Sequence, residues 1–348
     1  MRGPTERGAH GGEAARARLW IRLPNWLGDA LLARPVLTAL ARSRGADSIR
    51  AAAPQPILDL LAGDGSFGSH DAWPHDGMAR AASLVRVRAW KPDVALVLPP
   101  SLSSAAEAWQ SGAGVRIGYA GEGRSAFLSR ALPRPARGAR HLADEYLDLG
   151  AALGGTLDVA RAAPPLPVAP ESRAAAGELL RSHSLGDAPL ALLGPGAIYG
   201  PAKRWGADRF ASLGTRLAAR GFAVAVCGTA AEREVCEAVA RGVGGARVAS
   251  LAGATSLAAL AGIAALASVA VCNDSGLAHL AAAVGAPTVV IFGSTSSAWT
   301  APLGARVRVV QHAPVCSPCF QRTCRIGTLC LEAVSVDEVE SACAEAAA

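Results

Sequence analysis

Short apolar runs alternate along the chain with longer amphipathic stretches. The first run, residues 19–23, predicts a buried strand, and residues 30–42 have apolar positions at helical spacing. Residues 24–29 between them predict a turn. The same pattern predicts further strands at residues 49–53, 94–98, 115–119, 190–193, 222–227, 248–251, 268–272, 287–292 and 307–310. Strands that alternate with helices in this way predict α/β domains with parallel, doubly wound sheets.

A proline-rich segment interrupts the pattern. Residues 161–170 contain four prolines among small residues, which is typical of a linker. With 348 residues available, we predict one domain at residues 19–165 and a second at residues 171–348, with a ligand in a cleft between them. Residues 1–18 lack the apolar core of a signal peptide, so we expect a disordered N-terminal lead-in and a cytoplasmic protein.

Composition and charge limit the classes of protein to which this chain can belong. Hydrophobic residues make up 51% of the chain and charged residues 18%, which excludes a disordered protein. The net charge is +6, and six arginines between residues 116 and 140 are opposed only by Glu122. This basic patch suits an acidic substrate, an anionic membrane surface or a solvated loop. We expect no nucleic acid, because aromatic residues are not interleaved with the arginines.

The sequence Asn-Asp-Ser-Gly-Leu-Ala-His at residues 273–279 follows one apolar run and opens another. Polar residues at a turn from strand to helix lie at the carboxyl edge of an α/β sheet, where ligands bind. Ser275 and Gly276 would offer free backbone N–H groups to a phosphate at the helix N-terminus. Asp274 beside them is either a helix cap or an acceptor for sugar hydroxyls.

Residues 25–29, Asn-Trp-Leu-Gly-Asp, form the first candidate catalytic motif. Gly28 permits a tight turn and the close approach of a substrate. Asp29 at the start of a helix is either a cap or a general base for an attacking hydroxyl. The helix dipole would lower the pKa of Asp29, and burial would raise it.

Gly194-Pro195-Gly196-Ala197 follows a predicted strand and precedes Lys203. We expect the backbone at Gly196 and the ammonium of Lys203 to lie against a diphosphate, although this is not a Walker A sequence. Trp205 is expected to pack against the next helix. Two further loops end strands: the one at residues 228–232 matches a common structural turn, and the one at residues 293–296 is expected to line the ligand.

Four cysteines fall within fifteen residues, at Cys316, Cys319, Cys324 and Cys330. In a chain expected to be cytoplasmic, this spacing predicts a structural zinc site or, as a weaker alternative, an iron–sulfur site. Reduced free thiols and a redox disulfide are the other interpretations. The remaining cysteines are scattered and are expected in the core.

Several ordered motifs together resemble the bacterial lipopolysaccharide heptosyltransferases. The resemblance covers about residues 19–330, and each motif alone is common. Its Cys-Ser-Pro-Cys-Phe-Gln-Arg-Thr-Cys run is most similar to the heptosyltransferase II branch. The matching segments are residues 22–29, 194–197, 203–205, 251–257, 273–279, 292–295 with Pro302, and 316–324.

The resemblance implies a GT-B fold, with two Rossmann-like domains facing a central cleft. It implies inverting transfer of L-glycero-D-manno-heptose from ADP-heptose to an inner-core heptose of lipopolysaccharide, with no cofactor in catalysis. Asp29 matches the family's general base and Lys203 its diphosphate-binding lysine. Asp274 matches a heptose contact, and Ser275, Gly276 and His279 match the phosphate-side loop. The family often has threonine where Ser275 stands.

The implied acceptor is an acidic, lipid-linked core oligosaccharide, so we expect peripheral contact with the inner membrane surface. Three alternatives remain at this point. They are a heptosyltransferase I or III with another acceptor, a sugar-nucleotide epimerase on the same scaffold, and a sugar-nucleotide or metal-binding module without enzymatic activity.

Overall fold

The computed structural model describes residues 17–154, 157, 161 and 163–348. The predicted disordered lead-in at residues 1–18 therefore lies outside the described residues, apart from its last two. Within those residues, no helix is long and apolar enough to cross a membrane.

The chain divides into two compact units. The first comprises Met1–Asn25, Ala33–Ala136 and Leu142–Ala163. The second comprises Trp26–Leu32, Arg137–His141 and Pro164–Ala348. Two short segments from the first half of the sequence, one of which carries Asp29, thus belong with the second unit.

A six-stranded sheet forms the first unit, and every pair of neighbouring strands is parallel. Its strands are β1 (Leu19–Arg22), β2 (Ile49–Ala53), β3 (Ser69–Ala72), β4 (Val94–Val97), β5 (Val115–Tyr119) and β6 (Arg130–Leu132). Their order in the sheet is β3-β2-β1-β4-β5-β6. After α1 (Leu27–Leu32), the helices are α2 (Arg34–Arg44), α3 (Gln55–Ala62), α4 (Gly77–Trp90), α5 (Leu102–Gln110) and α6 (Leu142–Ala151).

The second unit repeats this topology. Its strands are β7 (Leu190–Gly194), β8 (Ala223–Val226), β9 (Val248–Ser250), β10 (Ala267–Asn273), β11 (Thr288–Phe292) and β12 (Val307–Gln311). Their order is β12-β11-β10-β7-β8-β9, again all parallel. The helices are α7 (Pro170–Ser182), α8 (Ala207–Ala219), α9 (Arg233–Val243), α10 (Leu257–Leu266), α11 (Gly276–Ala283), α12 (Ser297–Thr300), α13 (Leu329–Glu332) and α14 (Val336–Ala347).

Short 3₁₀ turns complete both units, at Ala46–Ser48, Arg124–Phe127, Pro201–Lys203 and Ala230–Glu232. In each sheet the first strand in the chain lies beside the fourth, so the strand order reverses between β1 and β4 and between β7 and β10. Ligands of open α/β sheets bind at such a switch point, beyond the carboxyl ends of the strands. The predicted doubly wound α/β fold is confirmed.

Alternation along the strands explains why the second sheet carries helices on both faces. Leu190 and Leu192 of β7 pack in one core cluster with residues of α7 and α10. Their neighbours Ala191 and Leu193 pack in another with residues of α8, α9 and α14. Successive side chains of a strand point to opposite faces, so a strand that is apolar at every position is buried on both sides.

The structure differs from the sequence predictions at three places in the first half of the chain. Asp29 does not lie in a turn, because α1 already begins at Leu27. The predicted helix at residues 30–42 is two helices, since Pro35 in the first turn of α2 has no N–H to continue the ladder. Strands β3 and β6 were not predicted, because both are short edge strands with few apolar residues.

The predicted basic patch is not one solvated surface. Arg124 is buried and donates to the carbonyl of Pro99 at 3.2 Å, and Arg116 donates to the carbonyl of Phe127 at 2.8 Å. Arg137 belongs to the second unit, where its guanidinium stacks on aromatic rings. Several of the six arginines therefore stabilise local structure.

Candidate active site

The switch point of the second sheet brings two predicted motifs together. Strands β7 and β10 pair in register, with Leu193 opposite Val271 and Gly194 opposite Cys272. Both strands end within the next residues, at the same edge of the sheet. The loop at residues 195–196 therefore begins beside the loop at residues 274–275, as the sequence predicted for a ligand site.

Asn273, the last residue of β10, joins these loops. Its side chain is fully buried, and Nδ2 donates to the carbonyl of Pro195 at 2.7 Å. Its Oδ1 accepts from the backbone N–H of Trp205 at 3.0 Å. Since Lys203 is two residues before Trp205 and Asp274 directly follows Asn273, this one amide fixes the backbone of both charged residues.

Lys203 and Asp274 form an ion pair inside this edge. The Nζ of Lys203 is 2.5 Å from Oδ2 of Asp274, and the two side chains are only 13% and 4% exposed. The hydroxyl of Thr295, after β11, donates to the same Oδ2 at 2.6 Å. The ring of Tyr199 lies 5.0 Å from the lysine Nζ. The ammonium is therefore held in one place with N–H donors to spare.

The N-terminus of α11 lies directly after this carboxylate. Ser275 stands at the N-cap position with an extended backbone, and its side chain makes no capping hydrogen bond. Asp274 is not the cap, because its carboxylate is bound to Lys203 and Thr295. The first N–H groups of α11, beginning at Gly276, are thus uncapped by any side chain and carry the positive end of the helix dipole.

Helix α1 packs against α11 through two glycines. A Cβ at Gly28 would lie 2.8 Å from Cδ2 of His279, so only glycine lets α1 approach that ring. Gly276 in turn lies under the side chain of Leu27. The loop before α1 is fixed within its own unit by a 2.7 Å hydrogen bond from Arg22 to Oδ1 of Asn25. These contacts explain why the motif at residues 22–29 has glycine immediately before aspartate.

Asp29 lies in the first turn of α1 and is partly buried. Its carboxylate makes no hydrogen bond or ion pair with the residues that the structure describes. Burial raises its pKa from 3.8 to about 6, Lys203 acts in the opposite direction, and Asp274 adds to the rise. Desolvation therefore outweighs the stabilising charge, which answers the question that the sequence left open.

His279 lies beneath α1 rather than at the surface. Its side chain is buried, and burial lowers its pKa to about 4. Asp274 acts to raise this pKa, and Lys203 and His141 act to lower it further. The imidazole is therefore neutral at physiological pH. His141 is also buried, and its Nε2 lies 3.0 Å from the carbonyl oxygen of Ala301.

Gly196 lies in the β7 loop, with its carbonyl 3.4 Å from Nδ2 of Asn273. A Cβ at this glycine would collide with the carboxylate of Glu232. Glu232 itself closes a capping box with Thr229, so the structural interpretation of residues 228–232 is confirmed. Trp205 packs edge-on against Phe210 at 5.2 Å and donates to the carbonyl of Val334, as expected for a core residue.

The cysteine-rich loop shows no metal geometry. Cys316 is exposed and Cys330 is buried, while the thiol of Cys324 donates to the carbonyl of Gly327 at 2.5 Å. Across the described ranges, no three His, Cys, Asp or Glu side chains are grouped as a metal site requires. The residues as placed do not fit zinc, and the zinc site stays a prediction without structural support.

Sequence reasoning missed the residues that organise this site. Asn273 and Thr295 were seen only as parts of loops, and no role was predicted for His141. Their partners are 68, 21 and 160 residues away in the chain, so no local pattern could reveal them. The signal in the sequence is a polar side chain at or just after the end of a buried strand, namely the amide of Asn273 and the hydroxyl of Thr295.

Comparison with known proteins gives one family match. Residues 81–329, more than half of the chain, match the family model described as Glycosyltransferase family 9 (heptosyltransferase). The lipooligosaccharide heptosyltransferase 2 of Haemophilus influenzae is 28% identical over an alignment of 303 residues, and the match covers 83% of this chain and 86% of the relative. The lipopolysaccharide heptosyltransferase 2 of Salmonella typhimurium is 28% identical over 320 residues, with the same coverage.

Similarity extends to the three-dimensional structure. The solved ADP-heptose lipopolysaccharide heptosyltransferase II of Escherichia coli superposes with a TM-score of 0.80 at 25% sequence identity. The match covers 95% of this chain and 98% of that structure. The fold is therefore shared over nearly the whole length of both chains.

Proposed function

The chain belongs to glycosyltransferase family 9, the heptosyltransferases, and from this premise we propose that it moves L-glycero-D-manno-heptose from ADP-heptose to an inner-core heptose of lipopolysaccharide. The names of the compared relatives support the second heptose transfer. The observation that carries the proposal is the carboxylate of Asp29, which has a raised pKa, makes no hydrogen bond or ion pair within the described part of the chain, and lies in the electrostatic field of the Lys203–Asp274 pair.

The donor diphosphate is proposed to lie between Lys203 and the N-terminus of α11. Support comes from the fixed ammonium, the uncapped N–H groups and the hydroxyl of Ser275, which the helix does not use. Gly196, in the loop after β7, is proposed to present its backbone to the diphosphate, while the carboxylate of Glu232 lies where a side chain would be. His279 beneath these groups is neutral, so it would support the phosphate loop by packing and polarity rather than by charge.

Asp29 is proposed as the general base. A carboxylate with a pKa near 6 is largely ionised at neutral pH and is a stronger base than an ordinary aspartate. It would remove the proton from the acceptor hydroxyl as that oxygen attacks the anomeric carbon from the face opposite ADP. The carbon–oxygen bond to the diphosphate breaks in the same step, so the configuration inverts.

Lys203 is proposed to neutralise the charge that grows on the departing diphosphate, together with the N–H groups at Gly276. Because these groups supply positive charge, the displacement needs no metal or other cofactor. Asp274 already fixes the lysine, and it is proposed to accept a hydrogen bond from a heptose hydroxyl through its remaining oxygen. In this proposal Asp274 orients the donor and Lys203 stabilises the leaving group, so one ion pair serves both purposes.

The acceptor is proposed to be an acidic, lipid-linked core oligosaccharide at the inner membrane surface, reached by peripheral contact from the cytoplasm. The net charge of +6 supports attraction to such a surface. The cysteine-rich loop has no place in the proposed chemistry. A metal analysis of the purified protein would detect structural zinc if the cysteines bind it.

A transfer assay with ADP-heptose and a panel of core acceptors tests this function. We expect heptose to be added to an acceptor that carries one inner-core heptose. Transfer only to an acceptor without heptose would identify the first transferase, and transfer only to a more complete core the third. Release of an isomerised sugar without any acceptor would refute the transfer and indicate an epimerase.

A further inference from the structure

Arg137 lies at the edge of the second unit with its guanidinium stacked on two aromatic rings. The guanidinium carbon is 3.9 Å from the ring centroid of Phe320 and 4.9 Å from that of Trp299. The two rings themselves meet edge to face at 5.7 Å. Stacking of this kind fixes the plane of the guanidinium and leaves its N–H edge pointing away from the rings.

The backbone at Phe320 is held in an unfavourable conformation that makes this stack possible. Phe320 has a φ of 54°, in the left-handed region that a bulky residue rarely adopts. Its N–H donates to the carbonyl of Ser294 at 2.7 Å, and its carbonyl accepts from the hydroxyl of Tyr199 at 2.7 Å. Such strain persists only where surrounding contacts enforce it, and it is frequent at binding sites.

The N–H donors of Arg137 have no acceptor among the residues that the structure describes. Arg137 makes no hydrogen bond or ion pair with any described residue, and its side chain is solvent-exposed. The two segments that meet here, residues 137–141 and 313–328, contain four arginines and no aspartate or glutamate. A planar cation with free donors and no nearby counter-charge from these segments is suited to bind an oxyanion in bidentate geometry.

The stack lies on the β11 side of the proposed donor site. Ser294 and Trp299 both follow β11, which lies on the opposite side of β10 from β7 and β8. The proposed diphosphate site lies between β7 and β10. An anion held by Arg137 would thus lie on the β11 side of the switch point. Tyr199 connects this stack with the donor site, because its hydroxyl donates to the carbonyl of Phe320 and its ring lies 5.0 Å from Nζ of Lys203.

We propose that Arg137 binds an anionic group of the acceptor, a phosphate or a sugar carboxylate of the inner core. This inference rests on the proposed heptose transfer and names a recognition residue for its acceptor. Phe320 and Trp299 act as positioning residues, because they orient the guanidinium without touching the substrate.

The test is steady-state kinetics of the full chain, with ADP-heptose and the acceptor varied separately. We expect Arg137→Ala to raise the acceptor KM about tenfold or more, the usual size of a lost charge-assisted hydrogen bond, with little change in the donor KM. Arg137→Lys should recover only part of the loss, since an ammonium cannot bind in bidentate geometry. Arg173→Ala is the matched control, an exposed arginine on α7 of the same unit.

Acceptors with their phosphates removed, or with their carboxyl groups reduced, identify the anion. The effect of Arg137→Ala should disappear with whichever acceptor lacks the bound group, because the two changes remove the same interaction. A full effect with both altered acceptors, an unchanged acceptor KM, or a rise in the donor KM instead would overturn the proposal. If the wild-type protein transfers heptose to none of the acceptors, the proposed function is refuted instead. Equal melting temperatures of the wild type and the variants verify that the variants fold.

Discussion

The raised pKa of Asp29 gives a prediction for both activity and stability. If its ionised form is the general base, kcat/KM should fall about tenfold between pH 7 and pH 5, because only about a tenth of a group with a pKa near 6 is ionised one unit below it. Asp29→Asn should abolish transfer at every pH and leave the affinity for ADP-heptose nearly unchanged.

The same shift predicts the sign of a stability change. The folded pKa of Asp29 is raised from 3.8 to about 6, so the folded protein binds more protons between these values than the unfolded chain. The contribution of Asp29 to stability should therefore fall as pH rises from about 4 to 6 and then level off, and it is measured as the difference between the wild type and Asp29→Asn. Each pKa unit corresponds to about 1.4 kcal/mol, so Asp29→Asn should be more stable than wild type by at most about 3 kcal/mol above pH 6.

Urea unfolding at pH 4 and pH 7.5 measures this gap, with Asp187→Asn, an exposed carboxylate of the same unit, as control. The carbon-13 carboxyl signal of Asp29 reports its pKa directly. Replacing Lys203 with Met should raise that pKa further, and Asp274→Asn should lower it, because the two charges act in opposite directions. A pH profile flat down to pH 5, or an Asn variant with normal turnover, would refute the assignment.

Three further predictions concern the residues around this carboxylate. Lys203→Ala should weaken ADP binding as well as turnover, since the ammonium is proposed to contact the diphosphate in both states; calorimetry with ADP checks this, and unchanged affinity would contradict it. Asn273→Ala should destabilise the fold by about 2–4 kcal/mol, because it leaves buried amide and carbonyl groups of two loops unpaired; thermal unfolding measures it. Gly28→Ala should cost about 1–3 kcal/mol and reduce turnover, since its Cβ would press on His279, whereas Gly77→Ala has open space and should be neutral.

How far the sequence could predict this protein is visible in particular elements. Strand β2 was predicted at the residues where it occurs, and Gly276–Ala283 within one residue, because apolar periodicity carries the signal. Strand β3 was missed, since Ser69–Ala72 has little apolar character and pairs only with β2 at the edge. The start of α1 was also missed, because its first residues resemble a turn and become helical while packed on α11.

The sequence names candidate residues for the site, but it does not show which of them contact each other. Asp29, Lys203 and Asp274 were singled out because each carries a charge in a glycine-bearing loop that follows an apolar run. Whether Asp274 capped a helix or faced a ligand could not be decided locally, since both roles need the same residue before the same helix. The contact with Lys203, 71 residues away, decided against a cap.

The sequence by itself therefore determined the alternation of strands and helices, the doubly wound α/β fold and the charged groups that the proposed site uses. Tertiary structure alone decided that α1 packs with the second unit, that Asn273 joins two loops, and that burial outweighs Lys203 at Asp29. The physical reason is that periodicity is a local property of the chain. Pairing, desolvation and the stack at Arg137 depend on groups far apart in sequence, which only the folded sheet brings together.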